Sequence, residues 1–286
     1  MPRLGPIAAL ALLCAACAAP PDAAPGPACD PAEPRPAGLL IAGSGSNLAF
    51  VRAIARRYAE RDPAARVHVA DSIGTGGAVR ALGDGAIDIG LASRPLTADE
   101  GRAGIVATPL ARVALVLAAR GGPPGPGLSR AAIAALFRGE LARWPDGAPV
   151  VPLLREPGDS GNALVAGVLP EVGRAMAEAT SRGALTVCYT DQQMRDSLLE
   201  TGGAVGFLDA GTLALERLPL RALAIDGALP TPAQVAAGRY PLVKELSFLT
   251  RGAPAGATAR FIAFALGPET GDLRDAGGFV APGGAR

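Results

Sequence analysis

Histidine is almost missing from this chain: His68 is the only one in 286 residues. A Ser-His-Asp relay would have to draw on that one ring. It lies inside the alternating run "ARVHVAD", whose pattern predicts a half-buried structural side chain rather than a general base. Metal ligands are equally sparse. Cys188 is the lone cysteine of the expected folded body, and no His/Asp cluster stands at ligand spacing, so no resident metal or other cofactor is expected. Aromatic residues make up 4% of the chain, and no interior apolar run approaches the roughly 20 residues a membrane span needs. An excess of one charge is also lacking. The 27 basic residues are balanced by 26 acidic ones with no basic block, which argues against nucleic acid as the main partner.

What is present is a chain with 49% apolar residues, much of that alanine, long enough for one large domain or two ordinary ones. The N-terminus "MPRLGPIAALALLCAACAAP" runs from Arg3 through an apolar stretch to small residues, the layout of a secretory signal peptide over 1–17. "LCAAC" resembles a bacterial lipoprotein cleavage box with Cys17 as the lipidated residue, although Cys14 stands where that box has leucine. Ordinary cleavage after Ala18 is the alternative. Residues 18–37 are too rich in proline and alanine to hold a core and read as a semi-rigid tether. Export would permit a disulfide between Cys29 in this tether and Cys188, and two separate thiols with Cys188 buried in a strand is the competing reading.

From residue 38 onward, short apolar runs alternate with helical stretches. "GLLIAG" is followed by a helix over 46–60, then "RVHVA", a helix over 75–83, and "AIDIGLA". Further strand-like runs lie at 112–119, 149–154, 184–189, 204–208, 220–225 and 242–250, and "GGPPGPG" (121–127) is the clearest punctuation. About ten strands with interleaved helices exceed one small sheet, so the pattern predicts an α/β protein of two lobes.

Three loops share one design: "IAGSGSNLAF" (41–50), "DSIGTGGAV" (71–79) and "LREPGDSGNAL" (154–164). Each joins a strand-like run to a helix and offers backbone N–H groups, a hydroxyl or amide, and a helix N-terminus. Singly, each is a tight turn with Asn47, Thr75 or Ser160 as cap; together they fit several helix ends converging on one anion. Nucleotide readings fail. "GSGSNL" has no third glycine and no acid at the ribose-reading distance, and no loop carries Gly-Lys-Ser/Thr. "GDSGN" is not a nucleophile elbow. Binding without chemistry is the expectation, so no enzyme is predicted.

The segment from "IAGSGSNLAF" through "DSIGTGGAVRALGDGAIDIGLASRPLTADE" resembles the N-terminal part of the periplasmic phosphate-binding proteins of ABC phosphate uptake systems. "FRGELARWPDG", "LLREPGDSGNAL", "GGAVGFLDAG" and "YPLVKELSFLT" are similar to that family's later landmarks in the same order. The resemblance implies an α/β, two-lobed type II periplasmic binding protein fold with the ligand cleft between the lobes. Lobe I would span 38–113 plus 240–286, and lobe II 114–239. It implies ligand-binding roles for Ser46, Asn47 and Leu48 in the first loop, Thr75 and Gly76 in the second, and Arg155, Ser160, Gly161 and Asn162 in the third.

Two positions depart from the family. Ser93 stands where members carry an aspartate that accepts the phosphate's proton, with Arg94 beside it, so sulfate would compete more readily. Asn162 replaces a threonine. Asp159 is extra in its loop and has two candidate roles, accepting that proton or orienting Arg155. Asp88 reads as a loop tie and Trp144 as packing. The implied function is an exported, monomeric, lipid-anchored binding protein that delivers phosphate, or a similar tetrahedral oxyanion, to an ABC permease, touching membrane only through its anchor. The alternatives are a sensor of sulfate, molybdate or tungstate, and a phosphoester hydrolase using Ser160.

Overall fold

A computed structural model of the chain describes residues 36–123 and 125–283. Cys17, Cys29, the signal peptide and nearly all of the tether lie outside the described residues. The elements alternate as the apolar runs require. They are β1 (Leu39–Gly43), α1 (Leu48–Arg61), β2 (Val67–Ser72), α2 (Gly74–Gly83), β3 (Ile89–Ala92), α3 (Ala98–Arg102) and β4 (Ile105–Ala119). Next come β5 (Gly127–Leu128), α4 (Arg130–Arg138), β6 (Val151–Arg155), α5 (Ser160–Val168), α6 (Pro170–Ser181), β7 (Thr186–Cys188) and α7 (Asp191–Glu200). The chain continues with β8 (Ala204–Asp209), α8 (Ala210–Leu215), β9 (Arg221–Ile225), α9 (Pro232–Ala236), β10 (Val243–Arg251), α10 (Gly256–Leu266) and α11 (Gly271–Ala276).

The strands run in the order β2-β1-β3-β10-β4-β8-β6-β7, with β9 pairing β4 and β5. Parallel pairs β1–β2 and β1–β3 form one end, and β6–β7 and β6–β8 the other. Between them, β4 pairs antiparallel with β10 over Ile105 to Ala114 and then with β8 from Leu115 to Ala119. One long strand therefore serves both halves. β4 starts at Ile105, well before the predicted 112–119; its first half carries Pro109, whose missing N–H counts against a strand in a propensity reading. The structure places Pro109 beside a register shift, where a ladder hydrogen bond is dispensable.

Two main apolar clusters flank the shared strands. One includes Phe137, Trp144, Leu117 and Leu242; the other is built on Phe50, Phe248, Phe261 and Phe279, with Phe50 and Phe279 stacked at 4.3 Å between centroids. A smaller cluster of Ala78, Leu82 and Leu249 seats α2. Trp144 is buried packing, as expected, and Asp88 accepts a hydrogen bond from the Leu40 N–H at 2.8 Å, tying its loop to β1.

Helix ends are where the pattern reading departs most. Asn47 makes no side-chain cap, Ile73 rather than Thr75 precedes α2, and Asp159 rather than Ser160 caps α5. At α2 and α5 the cap lies one or two residues before the one the loop pattern suggested, whereas Asn47 holds the N-cap position of α1 without a side-chain bond. Thr97, by contrast, forms a complete capping box with Glu100 at the start of α3. His68 is exposed rather than half-buried, because β2 is an edge strand; its Nε2 lies 3.2 Å from the Ala37 carbonyl. Cys188 is a free, buried thiol at the end of β7.

Candidate functional site

The ends of β1, β2, β3 and β6 bring four hydroxyls together. β1 stops at Gly43, where φ is +152° and any Cβ would strike the Leu91 backbone, so the following loop can lie directly on the end of β3. Ser44 N–H then donates to the Leu91 carbonyl at 2.9 Å, and Ser44 Oγ donates to Ser93 Oγ at 2.8 Å. The Ser93 N–H donates to Thr75 Oγ1 at 3.2 Å. From the other half, Ser160, the first residue of α5, places its Oγ 2.8 Å from Ser93 Oγ. Ser93 is thus the junction of a hydroxyl chain that bridges both halves.

Arg155 ends β6 and is only 6% exposed. Its Nη1 donates to the Cys188 carbonyl at 3.1 Å and its Nη2 to Asp159 at 3.2 Å; Asp191, at the start of α7, lies 3.5 Å away. Its Nε is buried without a partner. Asp159 also caps α5, accepting from Gly161 N–H at 2.8 Å and Asn162 N–H at 3.4 Å. Burial opposes charge on Asp159, but Lys244 and Arg155 together with these hydrogen bonds hold its carboxyl below the ordinary aspartate range. Of the two roles open to Asp159, orienting Arg155 is the contact present here. The Asn162 amide donates to the Arg155 and Glu156 carbonyls at 3.1 and 2.8 Å, bracing the loop from within.

Behind this layer lies Lys244 of β10, 3% exposed. Its Nζ donates to Ser46 Oγ at 2.8 Å and sits 3.4 Å from Asp209, the last residue of β8. Burial alone would lower the lysine pKa, but Asp209, Asp159 and Asp191 together raise it, so Lys244 stays charged. Burial pushes the Asp209 carboxyl up against the pull of that lysine. Asn47 donates from its amide to the Ala92 carbonyl at 3.2 Å and leaves Oδ1 buried without a partner. Leu48 is core at the first turn of α1.

These groups back a cleft of about 410 Å³. Gly74, Thr75, Gly76, Gly77 and Arg80 of α2 form one wall, and Arg155, Glu156, Asp159 and Ser160 the other; Ile73, Arg94, Tyr189 and Asp191 also line it. Of the residues singled out in the sequence, Thr75, Gly76, Arg155, Asp159 and Ser160 therefore meet at the cleft. Ser93 links two of them. Ser46, Asn47, Leu48, Gly161 and Asn162 are set back from it as supports. Ser44, Arg80, Asp191 and Lys244 were missed. Only Arg80 left a signal, four residues beyond Gly76 and so on the same helix face.

The arrangement suits an anion: hydroxyls, the N-terminal N–H groups of α2 and a buried guanidinium converge, while Ser160 faces another serine rather than a base. Among the described residues there is no group of three or more His, Cys, Asp or Glu side chains that could hold a metal, and no helix long and apolar enough to cross a membrane.

Known proteins resemble this chain in sequence and in fold. Residues 30–269 match the model of the PBP superfamily domain. The phosphate-binding protein PstS of Bacillus subtilis (strain 168) is 26% identical over 232 residues, which cover 78% of this chain and 73% of that protein. A Clostridium perfringens protein assigned as a phosphate ABC transporter substrate-binding protein, solved with phosphate bound, superposes with a TM-score of 0.72 at 18% identity, covering 86% of this chain and 100% of that one. The periplasmic molybdate-binding protein of Azotobacter vinelandii shares the fold at a TM-score of 0.59 and 14% identity, with 86% and 100% covered.

Proposed function

The chain belongs to the PBP superfamily, and on that premise we propose that it is an exported solute-binding protein that captures phosphate for an ABC permease. The observation that carries this reading is the cleft itself, where Thr75 at the start of α2 faces Ser160 at the start of α5 and Arg155 at the end of β6 across one space. An oxyanion entering it loses water. That loss is offset only if several donors are already in place, which is what a helix N-terminus, fixed hydroxyls and an anchored guanidinium supply.

In this reading, residues 38–113 with 240–286 form the first lobe and 114–239 the second, with β4 and the segment leading into β10 as the connections about which they close. Thr75, Gly76, Ser93, Arg155 and Ser160 contact the anion. Asp159 and Asn162 hold the third loop in shape, and Ser46, Asn47 and Leu48 anchor the first. No bond is made or broken. The choice of phosphate follows what the Bacillus subtilis relative is named for binding. Export through the N-terminal signal, anchoring at Cys17 and delivery to permease subunits complete the proposal.

Calorimetric titration of the purified protein with phosphate, sulfate, molybdate and tungstate is the test. Saturable one-to-one binding with phosphate preferred is expected. Silence toward all four would overturn the assignment.

A further inference from the structure

Three arginines line the cleft, and they are not equivalent. Arg155 lies 3.2 Å from Asp159 and 3.5 Å from Asp191, so its charge is more than matched by the chain's own carboxylates. Arg94 is clasped by both oxygens of Glu100 at 2.7 and 2.8 Å. Arg80 is exposed, lines the same cleft, and has no ion pair among the described residues. A helical side chain leans toward its helix's N-terminus, and this one does: its Nη1 lies 3.6 Å from where a Cβ on Gly76 would be. The guanidinium is thereby brought back over the first turn of α2.

The opposite wall has the reverse character. The N–H groups of Gly161 and Asn162 at the start of α5 are already taken by the Asp159 carboxylate, and Glu156 of the same loop adds a further acid to the cleft. The cleft is therefore polarised, with its uncompensated positive charge on the α2 wall.

Building on the solute-binding reading above, we propose that Arg80 is a specificity-determining residue of the site: it takes the ligand's net negative charge at the α2 wall, while Arg155 serves as a neutralised, fixed donor. A ligand with two negative charges gains more from an unpaired cation than one with a single charge, so Arg80 favours the dianion of phosphate.

The test is calorimetric titration of inorganic phosphate at pH 8 into the unaltered protein, Arg80→Gln and Arg80→Lys, at about 0.02 and 0.3 M salt. Arg80→Gln should weaken binding about tenfold at low salt, and Arg80→Lys, which keeps the charge, should recover most of it. The affinity of Arg80→Gln should also fall less with salt than that of the unaltered protein. Unchanged phosphate affinity in Arg80→Gln, or equal loss in Arg80→Gln and Arg80→Lys with the salt dependence intact, would overturn the inference while leaving the binding function in place. Failure of the unaltered protein to bind phosphate would instead remove the solute-binding reading and, with it, this role.

Discussion

Ser93 Oγ and Ser160 Oγ lie 2.8 Å apart, one from the loop after β3 and the other from the first turn of α5. These hydroxyls come from the two ends of a sheet whose halves share β4, and each can turn its proton toward a third acceptor. Ser160→Ala should weaken phosphate binding by roughly tenfold or more, as expected for losing a hydrogen bond to a charged group worth about 1.5–3 kcal/mol. Stability should change little, because Ser160 is only half-buried. Calorimetry paired with thermal unfolding separates the two effects.

Lys244 and Asp209 form a buried ion pair, 3% and 1% exposed. Lys244→Met should destabilise the fold by about 3–5 kcal/mol, because it strands Asp209 without its cation. Lys244→Met combined with Asp209→Leu should recover much of that loss. Urea unfolding of the single and double variants provides the comparison, and equal stability of the two would contradict the account.

Asp159 does two jobs that substitution can separate. Asparagine caps a helix about as well as aspartate, so Asp159→Asn should retain most of the stability of α5, whereas Asp159→Ala should lose about 1 kcal/mol. Both variants release one of the two carboxylates that hold Arg155. Both should therefore alter phosphate affinity to a similar extent, measurable in the same titrations.

Glu100 gives a pH signature away from the cleft. The two-pronged hydrogen bond from Arg94 is the main cause that draws its carboxyl from 4.5 down to about 2. Since the folded pKa lies below the unfolded one, the stabilisation is complete above about 4.5 and is lost as pH falls toward 2. Glu100→Gln should flatten that part of the stability profile, read by urea unfolding at successive pH values. A profile unchanged by the substitution would contradict the pairing.

Much of the fold was legible because strand runs such as "LLIAG" and "AVGFL" are apolar, short and bounded by glycine. The converging loops were legible because three glycine- and hydroxyl-bearing turns stand before helices in one chain, where a single one would read as an ordinary capped turn. Which residue capped each helix was not, because Asp159 and Ser160 are both good caps and only the chain path chooses between them. Lys244 sat in "LVKELSFLT" as an ordinary strand residue; its role depends on Ser46 and Asp209, far apart in sequence and joined only by folding. Asp191 escaped notice for the same reason. It reaches Arg155 from α7 and lies over Gly45, where any side chain would collide with its carboxylate.

Whether Arg155 and its neighbours hold a phosphate ion in this cleft is decided by side-by-side calorimetric titration of phosphate into the unaltered protein and Arg155→Ala. One saturable site per chain is expected in the unaltered protein and at least roughly a tenfold loss of affinity in the variant, in line with removing a charge-assisted donor. Phosphate binding of equal strength in both proteins, or none in either, would contradict that expectation.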